Sequence, residues 1–128
     1  MRSWTSAALA AGLLVVGALG LSGAARADGD AAKGEKAFAK CRACHSVKAG
    51  ENKVGPSLAG VVGRKAGTVE GYKYSDAMKN SGITWNDDTL EKYLKNPKEF
   101  IPGNKMVFPG IKKDDEIDDI VAYLKTTS

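Results

Sequence analysis

The chain has one histidine and two cysteines in 128 residues. That scarcity excludes several classes of protein at once. A structural zinc site needs four ligands, and two cysteines with one histidine do not supply them. A disulfide-stapled secreted scaffold needs several cysteine pairs, and only one pair exists. Aromatic residues make up 7% of the chain, and no run of about 20 apolar residues long enough to span a bilayer is present. No run of alternating β-branched residues signals a strand, and no internal repeat appears. The formal net charge of +4 says little about nucleic acid, and no nucleic-acid partner is expected.

The first 27 residues have the make-up of a secretory signal. Met1-Arg2 is a short positive start, Ala7 to Leu21 is apolar, and Ala25-Arg26-Ala27 is a small-residue cleavage site. Cleavage after Ala27 is expected, with export to the periplasm. The apolar run is about 15 residues, too short for a spanning anchor. Residues 28–128 then form one small domain of 101 residues. Arg2 and Arg26 leave with the signal, which takes the 19 basic residues to 17 against 15 acidic, a net charge of +2. A core this small is marginal and benefits from a staple.

Both cysteines and the histidine fall in one stretch, Cys41-Arg42-Ala43-Cys44-His45. This is C-x-x-C-H, the attachment signature of c-type haem. Two thiols at that spacing add to the two vinyl groups of one porphyrin, and the next residue offers its imidazole to the iron. A thiol oxidoreductase would carry its C-x-x-C after a strand in an α/β pattern, whereas here the motif ends a helical segment. One covalently bound haem c is expected, with His45 as a metal ligand. The opposite ligand must come from elsewhere, and of the methionines Met78 and Met106 remain once the signal is gone. Met78 sits in a helical setting where methionine fills cores. Met106 lies in a loop framed by Pro102, Gly103, Pro109 and Gly110, which suits a directed thioether. His45 and Met106 are the expected pair, as in many c-type haem proteins.

The remaining pattern is helical and loop-rich. Asp28 to Cys44 is a helical stretch with Asp30 as N-cap, and Phe38 shares a face with Cys41. Residues 46–73 carry six glycines and no periodicity, which predicts a long loop wrapped round a cofactor. A short helix is expected over 74–80 with Ser75 as cap. Another starts after Asn86 and closes at Pro97, with a further turn over 98–101. The last helix, 112–125, places Ile117, Ile120, Val121 and Leu124 at i, i+3, i+4, i+7. The fold expected is all-α: about five helices and long loops around one haem. Lysines recur near the motifs (Lys36, Lys40, Lys48, Lys53, Lys98, Lys105, Lys112, Lys113), while acids gather at 114–119. This is either a solvated face or a dipole that steers the molecule to an acidic partner.

From Asp28 to Lys125 the chain resembles class I cytochrome c, in the branch joining mitochondrial cytochrome c and bacterial cytochrome c2. The resemblance rests on Cys41 to His45, Val54-Gly55-Pro56-Ser57-Leu58, Gly63-Arg64-Lys65, Gly82-Ile83-Thr84-Trp85, Tyr93-Leu94-Lys95-Asn96-Pro97, Ile101 to Met106 and Ala122-Tyr123-Leu124-Lys125. It implies that the Pro56 carbonyl accepts the His45 Nδ1–H bond. It also implies that Arg64, Tyr74 and Trp85 bond the haem propionates and that the Tyr93 hydroxyl reaches the methionine sulfur. Asn104 stands where the family often has threonine, and Phe108 resembles the aromatic that shields the haem. Gly34, Phe38, Ile120 and Tyr123 resemble the packing of first helix on last. Met78 and Pro109 depart from the usual asparagine and alanine. The activity implied is that of a monomeric one-electron carrier, with no catalytic residues. It would run between a cytochrome bc complex and a photosynthetic reaction centre or terminal oxidase, touching membrane complexes only peripherally. The rival is a peroxidase-like haem enzyme or sensor with a labile methionine ligand.

Overall fold

The computed structural model describes residues 29–128, together with Gly12. The proposed signal peptide and its cleavage site at Ala27 otherwise lie outside the described residues. Among the described residues five α-helices appear: α1 (Ala31–Ala37), α2 (Asp76–Lys79), α3 (Asp87–Lys95), α4 (Pro97–Phe100) and α5 (Asp114–Lys125). Among the described residues there is no strand, only one isolated bridge between Lys65 and Thr84. None of the described helices is long and apolar enough to cross a membrane.

Capping side chains set most of the boundaries. Asp30 accepts from the amides of Ala32 and Lys33 and starts α1, and Ser75 accepts from Met78 to start α2. Asn86 and Thr89 form a reciprocal capping box on α3. Asn96 ends α3 in an extended conformation and caps α4 through the Glu99 amide, with Pro97 at the first helical position. The turn expected over 98–101 therefore begins one residue earlier, at the proline.

The first helix is shorter than its pattern suggests. It ends at Ala37, tightens into a 3₁₀ turn over Phe38–Lys40, and then turns again. The amides of Cys44 and His45 both bond the Cys41 carbonyl, at 3.1 and 2.9 Å. A tightened end satisfies carbonyls that an α-helix leaves free at its C-terminus. Likewise, α5 begins at Asp114 rather than Lys112, with three acids in its first turn where the macrodipole favours them.

The core forms where α1 meets α5. Phe38, Ile117 and Ile120 are almost fully buried, and burial of each such side chain stabilises by about 1.5–3 kcal/mol. The Phe38 and Tyr123 rings pack 5.4 Å apart. Two glycines allow the close approach. A Cβ on Gly34 would lie 1.8 Å from the Asp119 carbonyl oxygen, and one on Gly29 would lie 2.1 Å from the Asp118 backbone. The Asp30 amide donates to Asp119 Oδ1 at 2.7 Å. Residues 46–73 then wrap the far side as a loop, tied down where Ala66 bonds Ile83 and Trp85 bonds Arg64.

Gly34→Ala is expected to lower stability by about 3 kcal/mol, because backbone atoms cannot yield as a side chain would. For a domain of about 100 residues this corresponds to a fall in Tm of roughly 10–20 °C, measured by thermal unfolding of the holoprotein.

Candidate functional site

All ten residues singled out from the sequence converge on one cleft. It has a volume of about 430 Å³, predominantly apolar walls, and a lining that includes Cys41, Cys44, His45, Pro56, Arg64, Tyr74, Trp85, Tyr93, Asn104 and Met106. Its size is in the range of cofactor pockets.

His45 is held by the loop that follows it. Its Nδ1 lies 2.8 Å from the Pro56 carbonyl oxygen. A carbonyl only accepts, so Nδ1 carries the proton and Nε2 keeps its lone pair. Burial pushes the imidazole below its ordinary pKa, with the Pro56 bond opposing and the charge of Lys53 assisting. A neutral imidazole with a free Nε2 is a metal ligand. The Gly55 amide also bonds the Cys44 carbonyl at 2.7 Å, so both sides of the imidazole attachment are fixed by two adjacent residues.

Met106 is held from the other end of the chain. Asn104 organises its loop: Nδ2 donates to the carbonyls of Pro97 and Ile101 at 2.8 and 2.9 Å, while Oδ1 accepts from the Met106 amide at 2.9 Å. The Tyr93 hydroxyl lies 3.8 Å from the Met106 sulfur and 3.5 Å from Asn104 Oδ1. Burial pushes the Tyr93 phenol up to about 12, so it remains a donor throughout the physiological range. Its ring packs on Trp85 at 5.0 Å.

Arg64 and Tyr74 supply polar groups to a largely apolar wall. The Arg64 guanidinium is half-buried and spans the carbonyls of Ala59 and Ser57, each at 3.0 Å. Burial lowers its pKa, against the influence of Tyr74. The Tyr74 oxygen accepts from the Val69 amide at 3.0 Å, which leaves its own O–H to donate. Phe108 is half-buried on the same cleft, and so is Met78. Among the described residues no carboxylate lines the cleft. Carboxylates on a bound group would find a cation and a hydroxyl there.

Two residues near the motif were not singled out from the sequence. Gly55 is one: a Cβ there would lie 2.3 Å from His45 Cε1 and under 3 Å from both ring nitrogens. Only a hydrogen fits against the ring. Its place beside Pro56 was visible, but its reason is a contact that forms only on folding. Lys53 is the other. Counted as part of a charged face, it donates from Nζ to the Arg42 carbonyl inside the motif at 2.8 Å. Of the lysines noted near the motifs, Lys40 and Lys105 line the cleft. Lys40 is paired with Glu116 of α5, and Lys105 bonds the Lys73 carbonyl.

An apolar cleft lined by two cysteines and a neutral imidazole, with no acidic residue among the described lining, suits a covalently bound haem. The comparisons agree. The family model for cytochrome c matches residues 31–128. The chain is 61% identical over 89 residues to cytochrome c2 iso-2 of Magnetospirillum molischianum, covering 70% of this chain and 92% of that protein. It is 52% identical over 97 residues to cytochrome c2 of Blastochloris viridis, covering 75% and 76% of the two chains. The structure of cytochrome cH from Methylobacterium extorquens superposes with a TM-score of 0.74 at 57% identity, covering 77% of this chain and all of that one. The chain belongs to the cytochrome c family. It is a small electron carrier rather than an enzyme, and it carries one haem c bound through Cys41 and Cys44.

Gly55→Ala is expected to displace the imidazole from Pro56 and to cut the yield of covalently loaded protein by tenfold or more, in line with other changes just outside a metal's ligands. Haem content per polypeptide checks this. Asn104→Ala is expected to cost about 2 kcal/mol, since it leaves the Met106 amide without its acceptor and takes one of two donors from each of the Pro97 and Ile101 carbonyls. Denaturant unfolding measures it.

Proposed function

We propose that this chain is a soluble periplasmic one-electron carrier in which His45 and Met106 ligate the haem iron. It would take electrons from a cytochrome bc complex and give them to a photosynthetic reaction centre or a terminal oxidase. The signal-like residues 1–27 support export, and removal after Ala27 would leave residues 28–128 as the working domain. The observation that carries this reading is the pairing of two restrained ligands in one apolar cleft. His45 has its Nδ1 committed to Pro56, and Met106 has its loop pinned by Asn104 and its sulfur facing the Tyr93 hydroxyl. Bound haem supplies one-electron chemistry, its iron cycling between ferrous and ferric states.

The protein's part is to hold both ligands still and to exclude water. A thioether ligand and apolar burial both favour the ferrous form and raise the potential. Two restrained ligands leave no open position for a substrate, which argues against a peroxidase-like role. Arg64, Tyr74 and Trp85 are suited to the haem propionates, whose burial without donors would be costly. The rim presents Val54 and Val107, 74% and 98% exposed, among lysines. An apolar centre with a positive surround fits brief docking on acidic partners.

In the ferric holoprotein at neutral pH, a weak absorption band toward the red end is expected from methionine sulfur on ferric iron. Cyanide and carbon monoxide are expected not to bind on mixing. Ready binding of either, without that band, contradicts the reading. Turnover with purified reaction centres and with terminal oxidase is expected to slow as salt rises, because screening weakens exposed charge pairs.

A further inference from the structure

Pro56 and Ser57 share one peptide unit, and both of its polar groups are engaged. Its carbonyl accepts from His45 Nδ1 at 2.8 Å. Its N–H, on Ser57, donates to Asn52 Oδ1 at 2.9 Å. The Asn52 side chain continues the line outward, where Nδ2 donates to the Glu70 carbonyl at 3.1 Å. The chemistry forces these roles. A backbone N–H only donates and a carbonyl only accepts, so Oδ1 must face Ser57 and Nδ2 must face Glu70. Three hydrogen bonds thus run head to tail from the His45 ring, through the peptide and Asn52, to Glu70.

The line is sheltered and braced. Ser57 is 3% exposed, and Asn52 and Pro56 are half-buried. Ser57 Oγ donates to the Lys48 carbonyl at 2.6 Å, and Arg64 donates to the Ser57 carbonyl at 3.0 Å. On the other side of Pro56, the Tyr72 hydroxyl donates to the Val54 carbonyl at 2.8 Å. Away from water, each bond in such a chain polarises the next. An acceptor on a peptide's N–H also makes its oxygen more negative, because the two groups share one conjugated unit. Asn52 therefore strengthens the acceptor that His45 uses.

We propose that Asn52 is a positioning residue for His45. It fixes and polarises the Pro56–Ser57 peptide and so sets how much electron density the imidazole gives to the iron. The inference rests on His45 being an iron ligand. An imidazole on ferric iron is a stronger N–H donor than one on ferrous iron. A better acceptor at Pro56 then favours the ferric form and lowers the potential. Asn52 works against the thioether and the apolar burial, which raise it.

The test uses the holoprotein, with redox titration at neutral pH and proton NMR of the ferrous form. Asn52→Leu keeps the volume and loses both hydrogen bonds. At a fixed applied potential it is expected to raise the ratio of reduced to oxidised protein about threefold. For a one-electron couple that is about 30 mV. The His45 Nδ1–H resonance is expected to move upfield. Asn52→Asp still accepts from Ser57 but cannot donate to Glu70. It is expected to move both readouts the opposite way, since a charged acceptor bonds more strongly. If Asn52 only supports the fold, both variants lower the denaturation midpoint and leave both readouts at the parent values, and that result overturns the proposal. A potential that shifts while the resonance stays put also overturns it, because altered solvation or bare charge would explain the shift. So does a resonance that moves the same way in N52L and N52D. The ligand reading fails separately. In the ferrous parent the His45 ring protons are expected far upfield, under the porphyrin ring current. Ordinary positions there would overturn ligation by His45 itself.

Discussion

A cleft of about 430 Å³ runs into a domain of roughly a hundred residues, and the rest of the structure depends on its being filled. Without a bound group its predominantly apolar walls would face water, which forfeits the stabilisation that apolar burial gives. Protein side chains do not fill it. Phe38, Ile117, Ile120 and Leu124 are buried where the first helix meets α5, and Trp85, Leu90, Tyr93 and Leu124 are buried along the cleft wall. A bound haem would cover these apolar walls and extend the core. Covalent attachment through Cys41 and Cys44 makes that extension permanent, so cofactor retention and fold stability are one property.

The same constraint explains the loops. A chain that must follow the edge of a flat group cannot do so as a regular helix. Residues 46–73 instead turn repeatedly and take their bonds from wherever they land: Gly63 from Trp85, Ser57 from Asn52, Gly60 from Thr127. Electrostatics follow from the low polarity of the site. His45 stays neutral because burial disfavours its charge, and Pro56 decides which nitrogen keeps the lone pair. Tyr93 stays protonated for the same reason and keeps a donor toward the methionine sulfur. The charges that remain at the mouth, on Lys40 and Lys105, are partly spent on Glu116, the Lys73 carbonyl and the Tyr72 ring.

Much of this was legible in the sequence where the cause is local. Asp30, Ser75 and Asn86 announce helix starts because a capping side chain acts within three residues. The spacing of Ile117, Ile120, Val121 and Leu124 announces the buried face of α5. Cys41 to His45 announces the haem because its chemistry needs those atoms in that order. Contacts made only on folding were not legible. The 3₁₀ turn at Phe38 arises from the end of α1 and the turn after it, not from propensity. Gly55 is needed because a ring from residue 45 lies against it, whereas the packing of Gly34 on the last helix was already implied by the family resemblance. Lys53 and Lys105 look like surface charge in sequence, yet each bonds a backbone carbonyl elsewhere. The roles of Pro56, Tyr93 and Asn104 came from family resemblance, and the geometry supplies physical reasons for them.

X-ray absorption at the iron edge of the ferric holoprotein tests the central assignment most directly. One sulfur scatterer and one imidazole nitrogen beyond the porphyrin nitrogens are predicted, with the sulfur lost in Met106→Ala and kept in Met78→Leu. Absence of sulfur from the iron shell, or its survival in Met106→Ala, would contradict the assignment of His45 and Met106 as the two ligands.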